Sequence, residues 1–253
     1  MTPFRTLILL ALIPSALSAP VLARDLEPGL RLVHTAAPRE IALTFDACSG
    51  AVDHRILDLL VAERIPATFF VTARWLKRNA EALAVIRAHG NLFEIENHGA
   101  RHIPAVTDEA KVFGLVTAGT LEAVRAEVEG GSEAIRLSTG ATPHWFRGAT
   151  ARYSADAVEA IEAKGLKIAG YSLNADVGAS LSAAATEKRL RAAKNGDVVI
   201  AHINQPTHAA GAGIAAGLLA LKQAGASFVR LDDAESEASG LGHATLPGKT
   251  PAF

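Results

Sequence analysis

The chain has 253 residues, of which 49% are hydrophobic, and its formal net charge at pH 7 is -1. This length and hydrophobic fraction suffice to bury one full core, so we expect a single α/β domain. The balanced charge, the 5% aromatic content and the lack of a basic block exclude nucleic acid as an expected partner and argue against capture by an anionic membrane surface.

The N-terminus predicts a secretory signal peptide. Arg5 precedes an apolar run over residues 7–17, and small residues lead to a cleavage site near Ala23. A membrane anchor is the competing interpretation, but Pro14 and Pro20 interrupt the run and leave it short for a span. We therefore expect a secreted or periplasmic protein with no membrane contact after signal cleavage.

The remaining chain divides into parts of unequal composition. From residue 235 onward it is rich in Ser, Gly, Ala and Pro, which predicts a flexible tail without a core. Cys48 is the only cysteine, so an internal disulfide cannot stabilise the exported chain. We expect a signal peptide at residues 1–23, a lead-in at 24–37, one domain at 38–234 and the tail at 235–253.

Short apolar strands alternate with amphipathic segments of helical period from Glu40 onward. Between the strands, apolar residues at i, i+3 and i+4, as at Ile56, Leu59 and Leu60, predict helices packed by one face. This alternation indicates a parallel sheet, and seven units predict closure into a barrel. The strand candidates are 41–45, 67–71, 92–96, 144–146, 167–173, 198–201 and 227–231.

Polar residues follow most of these strands. In a parallel sheet the C-terminal ends of the strands share one rim, so residues far apart in sequence can converge there. Asp46 ends the first strand and enters a strand-to-helix loop, where α/β folds commonly carry their chemistry. The further rim candidates are His98, His102, Arg147, Asn174, Asp176 and His202.

Four of these rim residues also have a structural interpretation. His98 and His102 have the spacing at which one helical turn lets two imidazoles share a metal ion, but surface or capping histidines commonly show the same spacing. His202 closes an apolar run and can be either a proton carrier or a core residue bonded to a carbonyl. Arg147 can be a surface ion-pair residue or a partner that keeps a carboxylate ionised.

Taken together, the motifs resemble those of the polysaccharide deacetylases of the NodB-homology type, carbohydrate esterase family 4. The resemblance covers roughly residues 38–232, and its five motifs occur in the family's order. They are Thr44-Phe45-Asp46-Ala47, which resembles Thr-Phe-Asp-Asp; His98-Gly99-Ala100-Arg101-His102, which resembles His-Ser/Thr-x-x-His; Phe146-Arg147-Gly148-Ala149-Thr150, at the position of Arg-x-Pro-Tyr; Tyr171-Ser172-Leu173-Asn174-Ala175-Asp176, at the Asp-containing fourth motif; and Ile200-Ala201-His202, which resembles Leu-x-His.

The resemblance implies a distorted (β/α)7 barrel and a metal-dependent hydrolase that removes N-acetyl groups from an acetylated glycan, with release of acetate. The implied metal is zinc, with cobalt or nickel as alternatives. An O-acetyl esterase acting on a glycan and a non-catalytic glycan-binding protein are the alternative functions. By resemblance, the metal is bound by His98 and His102, and the catalytic residues are Asp46 as base, Arg147 as its partner, His202 as acid and Asp176 as the partner of His202.

Ala47 departs from the family pattern, because the family has its carboxylate metal ligand at this position. Two imidazoles alone hold zinc poorly, so either another residue supplies a third ligand or the site binds little metal. We expect Asp46 to serve the metal, with Cys48, Asp53 and His54 as alternative ligands. An inert, buried thiol in a packed turn is the preferred interpretation of Cys48.

Overall fold

The computed structural model describes residues 26–33, 35 and 37–241. The predicted signal peptide at 1–23 and the end of the predicted tail, 242–253, lie outside the described residues. Within the described part of the chain, no helix combines the length and the apolar character that a membrane crossing requires.

The described residues form twelve strands and seven α-helices. The strands are β1 Pro28–Leu32, β2 Glu40–Ala47, β3 Ala67–Val71, β4 Phe93–Asn97, β5 Lys111–Val112, β6 Leu115–Val116, β7 Trp145–Phe146, β8 Lys167–Ile168, β9 Leu173–Asn174, β10 Val198–His202, β11 Ser227–Val229 and β12 Ser236–Leu241. The helices are α1 His54–Ala62, α2 Ala73–Arg78, α3 Ala80–Ala88, α4 Leu121–Thr139, α5 Ala155–Glu162, α6 Ala183–Arg191 and α7 Ala210–Gln223.

One curled parallel sheet organises the molecule. Its strand order is β8-β7-β4-β3-β2-β10-β9, and β11 also pairs with β2. The two edge strands β8 and β9 come from the single segment 167–174, so the two edges of the sheet are brought together by the chain itself. This arrangement is a distorted (β/α) barrel, and it confirms the predicted fold class.

The predicted strand at 167–173 is interrupted, which corrects its expected continuity. A β-carbon at Gly170 would collide with the carbonyl oxygen of Pro28, so β1 packs against the backbone there. Leu30 N–H also donates to Tyr171 O at 3.4 Å. The lead-in thus fills the seam between β8 and β9.

The predicted start of the flexible tail, residue 235, lies too far toward the N-terminus. Residues 236–241 form β12, which pairs antiparallel with β1, and Leu30 stands opposite Ala238. The local sequence of β12 has no alternation of apolar and polar residues, and its backbone partners lie about two hundred residues earlier in the chain. The strand therefore depends on a long-range pairing that a local pattern does not reveal.

Strand alternation on β2 decides which side chains reach the barrel interior. Ile41, Leu43, Phe45 and Ala47 belong to the apolar cluster that also takes in the buried faces of the surrounding helices. Successive side chains of a strand point to opposite faces, so Asp46 lies on the inner face. All eight residues of β2 are buried, which places this carboxylate in a site shielded from water.

Candidate active site

Asp46 and Arg147 form a buried ion pair at the rim. Asp46 is 3% exposed and Arg147 is fully buried. Arg147 Nη1 donates to Asp46 Oδ1 at 3.0 Å and to Thr44 Oγ1 at 2.7 Å. The carboxylate therefore has one oxygen held by the guanidinium and a second oxygen, Oδ2, directed elsewhere.

The remaining donors of Arg147 are also satisfied. Its Nε donates to Ala169 O at 3.1 Å and its Nη2 to Gly170 O at 3.0 Å. The guanidinium lies over the Phe70 ring at 4.3 Å from the centroid. A buried charge costs free energy unless it is paired and hydrogen-bonded, and Arg147 meets both conditions.

Asp46 is held in its ionised form. Burial by itself would raise its pKa, but the electrostatic interactions with His98, Arg147 and His202, together with the hydrogen bond from Arg147, outweigh that effect and lower the pKa of Asp46 below its usual value. An ionised carboxylate beside a buried arginine can accept a proton, which is what a general base requires.

His98 presents an unprotonated nitrogen to the rim. Its Nδ1 lies 2.6 Å from the carbonyl oxygen of Arg147, which can only accept, so Nδ1 carries the hydrogen. Nε2 then keeps its lone pair and lies 3.8 Å from Asp46 Oδ2 and 3.6 Å from Cys48 Sγ. Burial lowers the pKa of His98, which keeps the ring neutral.

His102 reaches the same place through an irregular loop, and the expected helical turn between the two histidines is wrong. The segment after β4 is not helical, and His102 has a positive φ of 66°. Its ring centroid lies 5.0 Å from that of His98. Burial and the neighbouring His98 lower the pKa of His102 to about 3, so this ring is also neutral.

Glu127 holds the loop that carries His102. This carboxylate is 2% exposed on α4, and its Oε1 accepts from Arg101 N–H at 2.7 Å and Ile103 N–H at 3.0 Å. Gly99 has φ of 89°, and a β-carbon there would meet the Glu127 side chain. The loop is thus fixed on both sides of His102.

Cys48, His98 and His102 form a group of possible metal ligands. One ligand atom from each lies within 4.8 Å of the other two. Asp46 is not in this group, although the sequence favoured it as the third ligand. Two imidazoles and one thiol are donor types that zinc accepts, and three protein ligands leave a coordination position open, so the residues fit a catalytic metal.

The other two alternative ligands are engaged elsewhere. Asp53 caps α1 and pairs with Arg55 at 2.5 Å. His54 is exposed on α1 and lies 3.2 Å from Asp58.

The Cys48 thiol has a pKa well above its usual value. The largest cause is burial, and the nearby Asp46 and Asp176 carboxylates add to it. Without a metal, this thiol is protonated.

His202 and Asp176 form the second buried pair. His202 Nδ1 lies 2.9 Å from Asp176 Oδ1, and its backbone N–H donates to Oδ2 at 2.7 Å. Burial alone would lower the pKa of His202, but the Asp176 carboxylate outweighs it and the pKa is raised. His202 stands directly beside Asp46 on adjacent strands.

Asn174, the remaining rim candidate, has a structural role. Its Oδ1 accepts from Val177 N–H at 2.8 Å and so shapes a turn.

The structure therefore brings together Asp46, His98, His102, Arg147, Asp176 and His202. Sequence reasoning missed Glu127 and the role of Thr44, whose Oγ1 both accepts from Arg147 and donates to Val199 O at 2.6 Å. A signal for Glu127 was present, because it lies beside Val124 and Val128 on the buried face of α4. A carboxylate on an apolar helix face requires internal partners.

Comparisons with known proteins identify the family to which the chain belongs. A model of the polysaccharide deacetylase family matches residues 34–169. A search of curated proteins found no match. Among solved structures, a CE4 family pseudoenzyme from Bacillus anthracis is 18% identical with a TM-score of 0.62, and the match covers 79% of this chain and 66% of that protein.

Two further solved structures share the fold. A mutant of the peptidoglycan deacetylase PdaC from Bacillus subtilis is 18% identical with a TM-score of 0.61, over 79% of this chain and 91% of that protein. A family 4 acetyl xylan esterase from Clostridium thermocellum, in complex with a cobalt ion, is 24% identical with a TM-score of 0.62, over 77% and 89%. The family model covers more than half of the sequence, and the chain belongs to the polysaccharide deacetylase family.

Proposed function

We propose that the protein is a metal-dependent hydrolase that removes N-acetyl groups from an extracytoplasmic polysaccharide and releases acetate. The observation that carries this proposal is the juxtaposition of an ionised Asp46, held by Arg147, with the His202–Asp176 pair on the neighbouring strand. A base and an acid side by side are what cleavage of an amide by water requires.

The roles follow from the atoms that remain available. Asp46 Oδ1 is held by Arg147, so Oδ2 accepts the proton of the attacking water. His202 Nδ1 is bound to Asp176, which leaves Nε2 to donate a proton to the nitrogen as the carbon–nitrogen bond breaks. The products are acetate and a free amine. A divalent metal held at His98 and His102 would supply Lewis-acid polarisation of the acetyl carbonyl.

An acid of this kind favours amides over esters. An amine leaves readily only after its nitrogen is protonated, and the raised pKa of His202 keeps a proton available for that step. The relatives support acetylated glycans as the substrate class, since one is a peptidoglycan deacetylase and another an acetyl xylan esterase. An O-acetyl esterase would use the same residues.

A non-catalytic glycan-binding protein is the second candidate, and Ala47 is the observation that favours it. The family's carboxylate is missing at this position, and one of the relatives is described as a pseudoenzyme. This candidate predicts glycan binding that does not change in an Asp46→Asn variant.

Acetate release tests the proposal. The mature protein, loaded with zinc or cobalt, is incubated with chitin oligomers, peptidoglycan fragments and acetylated xylan, and acetate and free amine are quantified. We expect release from an N-acetylated glycan, and a loss of about 10²-fold or more in Asp46→Asn, since proton transfer contributes about 10²–10⁴. Release from xylan alone would indicate the esterase. Glycan binding without any release would replace the proposal with the binding protein.

We also propose that the protein acts in the periplasm or outside the cell, as the N-terminal sequence predicts. Cell fractionation followed by N-terminal sequencing of the mature protein tests this. The expected mature chain begins just after Ala23, and an unprocessed cytoplasmic chain would contradict export.

A further inference from the structure

We propose that the thiolate of Cys48 is the third protein ligand of the metal and replaces the carboxylate that is missing at Ala47. The inference rests on the proposed function in so far as that function needs a metal. It adds a sulfur ligand to the site and leaves Asp46 to act only as a base.

The chain places Cys48 and Ala47 in different surroundings. Ala47 is fully buried in the apolar cluster between sheet and helices. β2 ends at Ala47, the strand alternation stops there, and the side chain of Cys48 turns toward His98. The family's carboxylate is thus replaced by a methyl group at position 47, and a possible sulfur ligand stands at position 48.

The backbone of Cys48 is fixed. Thr72, the N-cap of α2, donates its hydroxyl to Cys48 O, and its backbone N–H donates to Ala47 O at 3.3 Å. Gly50 packs so closely that a β-carbon would collide with Asn204 O. A ligand bond needs a donor on a well-positioned backbone, and these contacts fix the backbone that carries the thiol without help from a metal.

The distances agree with a shared metal ion. With zinc–sulfur and zinc–nitrogen bonds of about 2.3 and 2.05 Å at a tetrahedral angle, the two ligand atoms lie about 3.6 Å apart. Cys48 Sγ and His98 Nε2 lie 3.6 Å apart. That nitrogen carries the lone pair, because Nδ1 donates to the Arg147 carbonyl, and such a hydrogen bond typically orients a metal-binding histidine.

A thiol–imidazole hydrogen bond would give the same distance, but it would not require His102 in the group. The three donor atoms lie mutually within 4.8 Å, which is the arrangement that one ion can bridge. On binding, the thiol releases its proton to the buffer and sulfur coordinates as the thiolate. A soft sulfur ligand favours zinc and cobalt over magnesium, calcium and manganese.

Cobalt spectroscopy tests the inference without reference to activity. Metal-free protein is titrated with Co²⁺, and the near-ultraviolet thiolate-to-cobalt charge-transfer band is recorded. Cys48 is the only cysteine, so the band reports on this residue alone. We expect one cobalt per chain with the band in the wild type, and no band in Cys48→Ser. X-ray absorption of the zinc-loaded protein should show one sulfur neighbour at about 2.3 Å.

Affinity supplies the second readout. Loss of a residue that only hydrogen-bonds to a metal ligand costs about 10–100-fold in metal affinity, so we expect Cys48→Ser, which removes a ligand itself, to lose at least about 100-fold. Cys48→Asp offers a carboxylate at the same position and should regain a large part of the affinity without the band. Ser49→Ala, at the neighbouring position, is the matched control and should keep both. Circular dichroism of the metal-free variants checks that they are folded.

The outcomes separate the inference from the proposed function. Stoichiometric cobalt binding without the band, and with equal affinity in Cys48→Ser, would overturn the thiolate ligand even if acetate is released. The band together with a complete lack of acetate release would uphold the ligand and overturn the hydrolase. Failure of the folded wild type to bind zinc or cobalt would overturn the inference.

Discussion

The Arg147 side chain hydrogen-bonds to several separate segments of the barrel interior. It bonds two side chains of β2, Thr44 and Asp46, and two carbonyls of the segment that closes the barrel, those of Ala169 and Gly170. Its backbone N–H pairs with Asn97 O at 2.9 Å. One buried guanidinium thus orients the base and ties both sides of the barrel to the rim.

Replacing Arg147 by Met should strongly destabilise the protein. The change leaves the buried Asp46 carboxylate without its partner, and breaking a buried ion pair costs about 3–5 kcal/mol. The free energy of unfolding in urea, measured on metal-free protein, checks this. Arg136→Met is the matched control, because Arg136 forms an exposed pair with Glu133 and should change stability little. Equal effects of the two changes would contradict the buried role.

Asp176 acts on the reaction through His202. Asp176→Asn keeps the size of the side chain but removes the charge that stabilises the imidazolium, so we expect kcat to fall about 10²-fold with little change in KM. Steady-state kinetics on an N-acetylated glycan measures the two constants separately. Asp156→Asn, at an exposed position that bonds Thr107, should be neutral. A change confined to KM would assign Asp176 to substrate binding.

Helix α4 positions the loop that carries His102 through the side chain of Glu127. Glu127 accepts the N–H groups on either side of His102 and is not itself one of the three grouped metal ligands. Glu127→Ala should therefore weaken zinc binding about 10–100-fold, the usual cost of a lost outer partner. A competition titration with a chelating dye measures it.

Two variants separate this effect from damage to α4. Glu127→Gln retains an oxygen that can accept both N–H groups, and it should recover most of the zinc affinity. Glu129→Ala removes an exposed carboxylate of the same helix, paired with Lys164, and should have no effect. Unchanged zinc affinity in Glu127→Ala would show that the loop holds its conformation without the carboxylate.

The sequence predicts the central strands well, because each is a run of buried apolar residues with a clear stop. β2, β3 and β10 lie where the pattern indicated, and strand alternation then places Asp46 and His202 on the inner face. The convergence of the polar residues follows from parallel topology alone. For this reason most of the rim could be predicted before any contact was known.

The sequence does not predict features that depend on distant partners or on loop conformation. Pairing of β1 with β12 joins the two ends of the described chain, and the break at Gly170 results from the approach of Pro28. The third metal ligand depends on how the chain turns after Ala47, and a side-chain direction outside regular structure has no periodic signal. The sequence therefore cannot decide between Asp46 and Cys48 as the third metal ligand, whereas the structure groups only Cys48 with the two histidines.

At the scale of the whole molecule, the rim is not the only polar region of the barrel. Glu94 and Glu96 lie on the same face of β4, nearer to the N-terminal end of the strand than His98 is. Asp232, in the segment after β11, lies beside both carboxylates. Glu96 Oε2 accepts from Trp145 N–H at 2.7 Å and His144 N–H at 2.9 Å. Burial first, and then the Glu94 and Asp232 carboxylates, raise the pKa of Glu96 to about 8.

This cluster should make the stability of the fold depend on pH. Between the ordinary glutamate pKa of 4.5 and about 8, folded Glu96 holds a proton that the unfolded chain releases. The stabilisation is complete below pH 4.5 and is lost as the pH rises toward 8, because each unit of pKa difference is worth about 1.4 kcal/mol. The loss amounts to a few kcal/mol at most.

Glu96→Gln should remove this dependence while it keeps an oxygen for the two N–H groups. We expect the variant to gain stability relative to the wild type as the pH rises from 5 to 9, measured by urea unfolding at each pH. His144 and Asp232, which pair at 2.5 Å beside Glu96, and Glu94 are unchanged in the variant, so the difference between the two curves reports on the replacement of Glu96. Glu162→Gln, at an exposed position, should leave the curve unchanged. Parallel curves for Glu96→Gln and the wild type would show that Glu96 has the same pKa in the folded and unfolded chain.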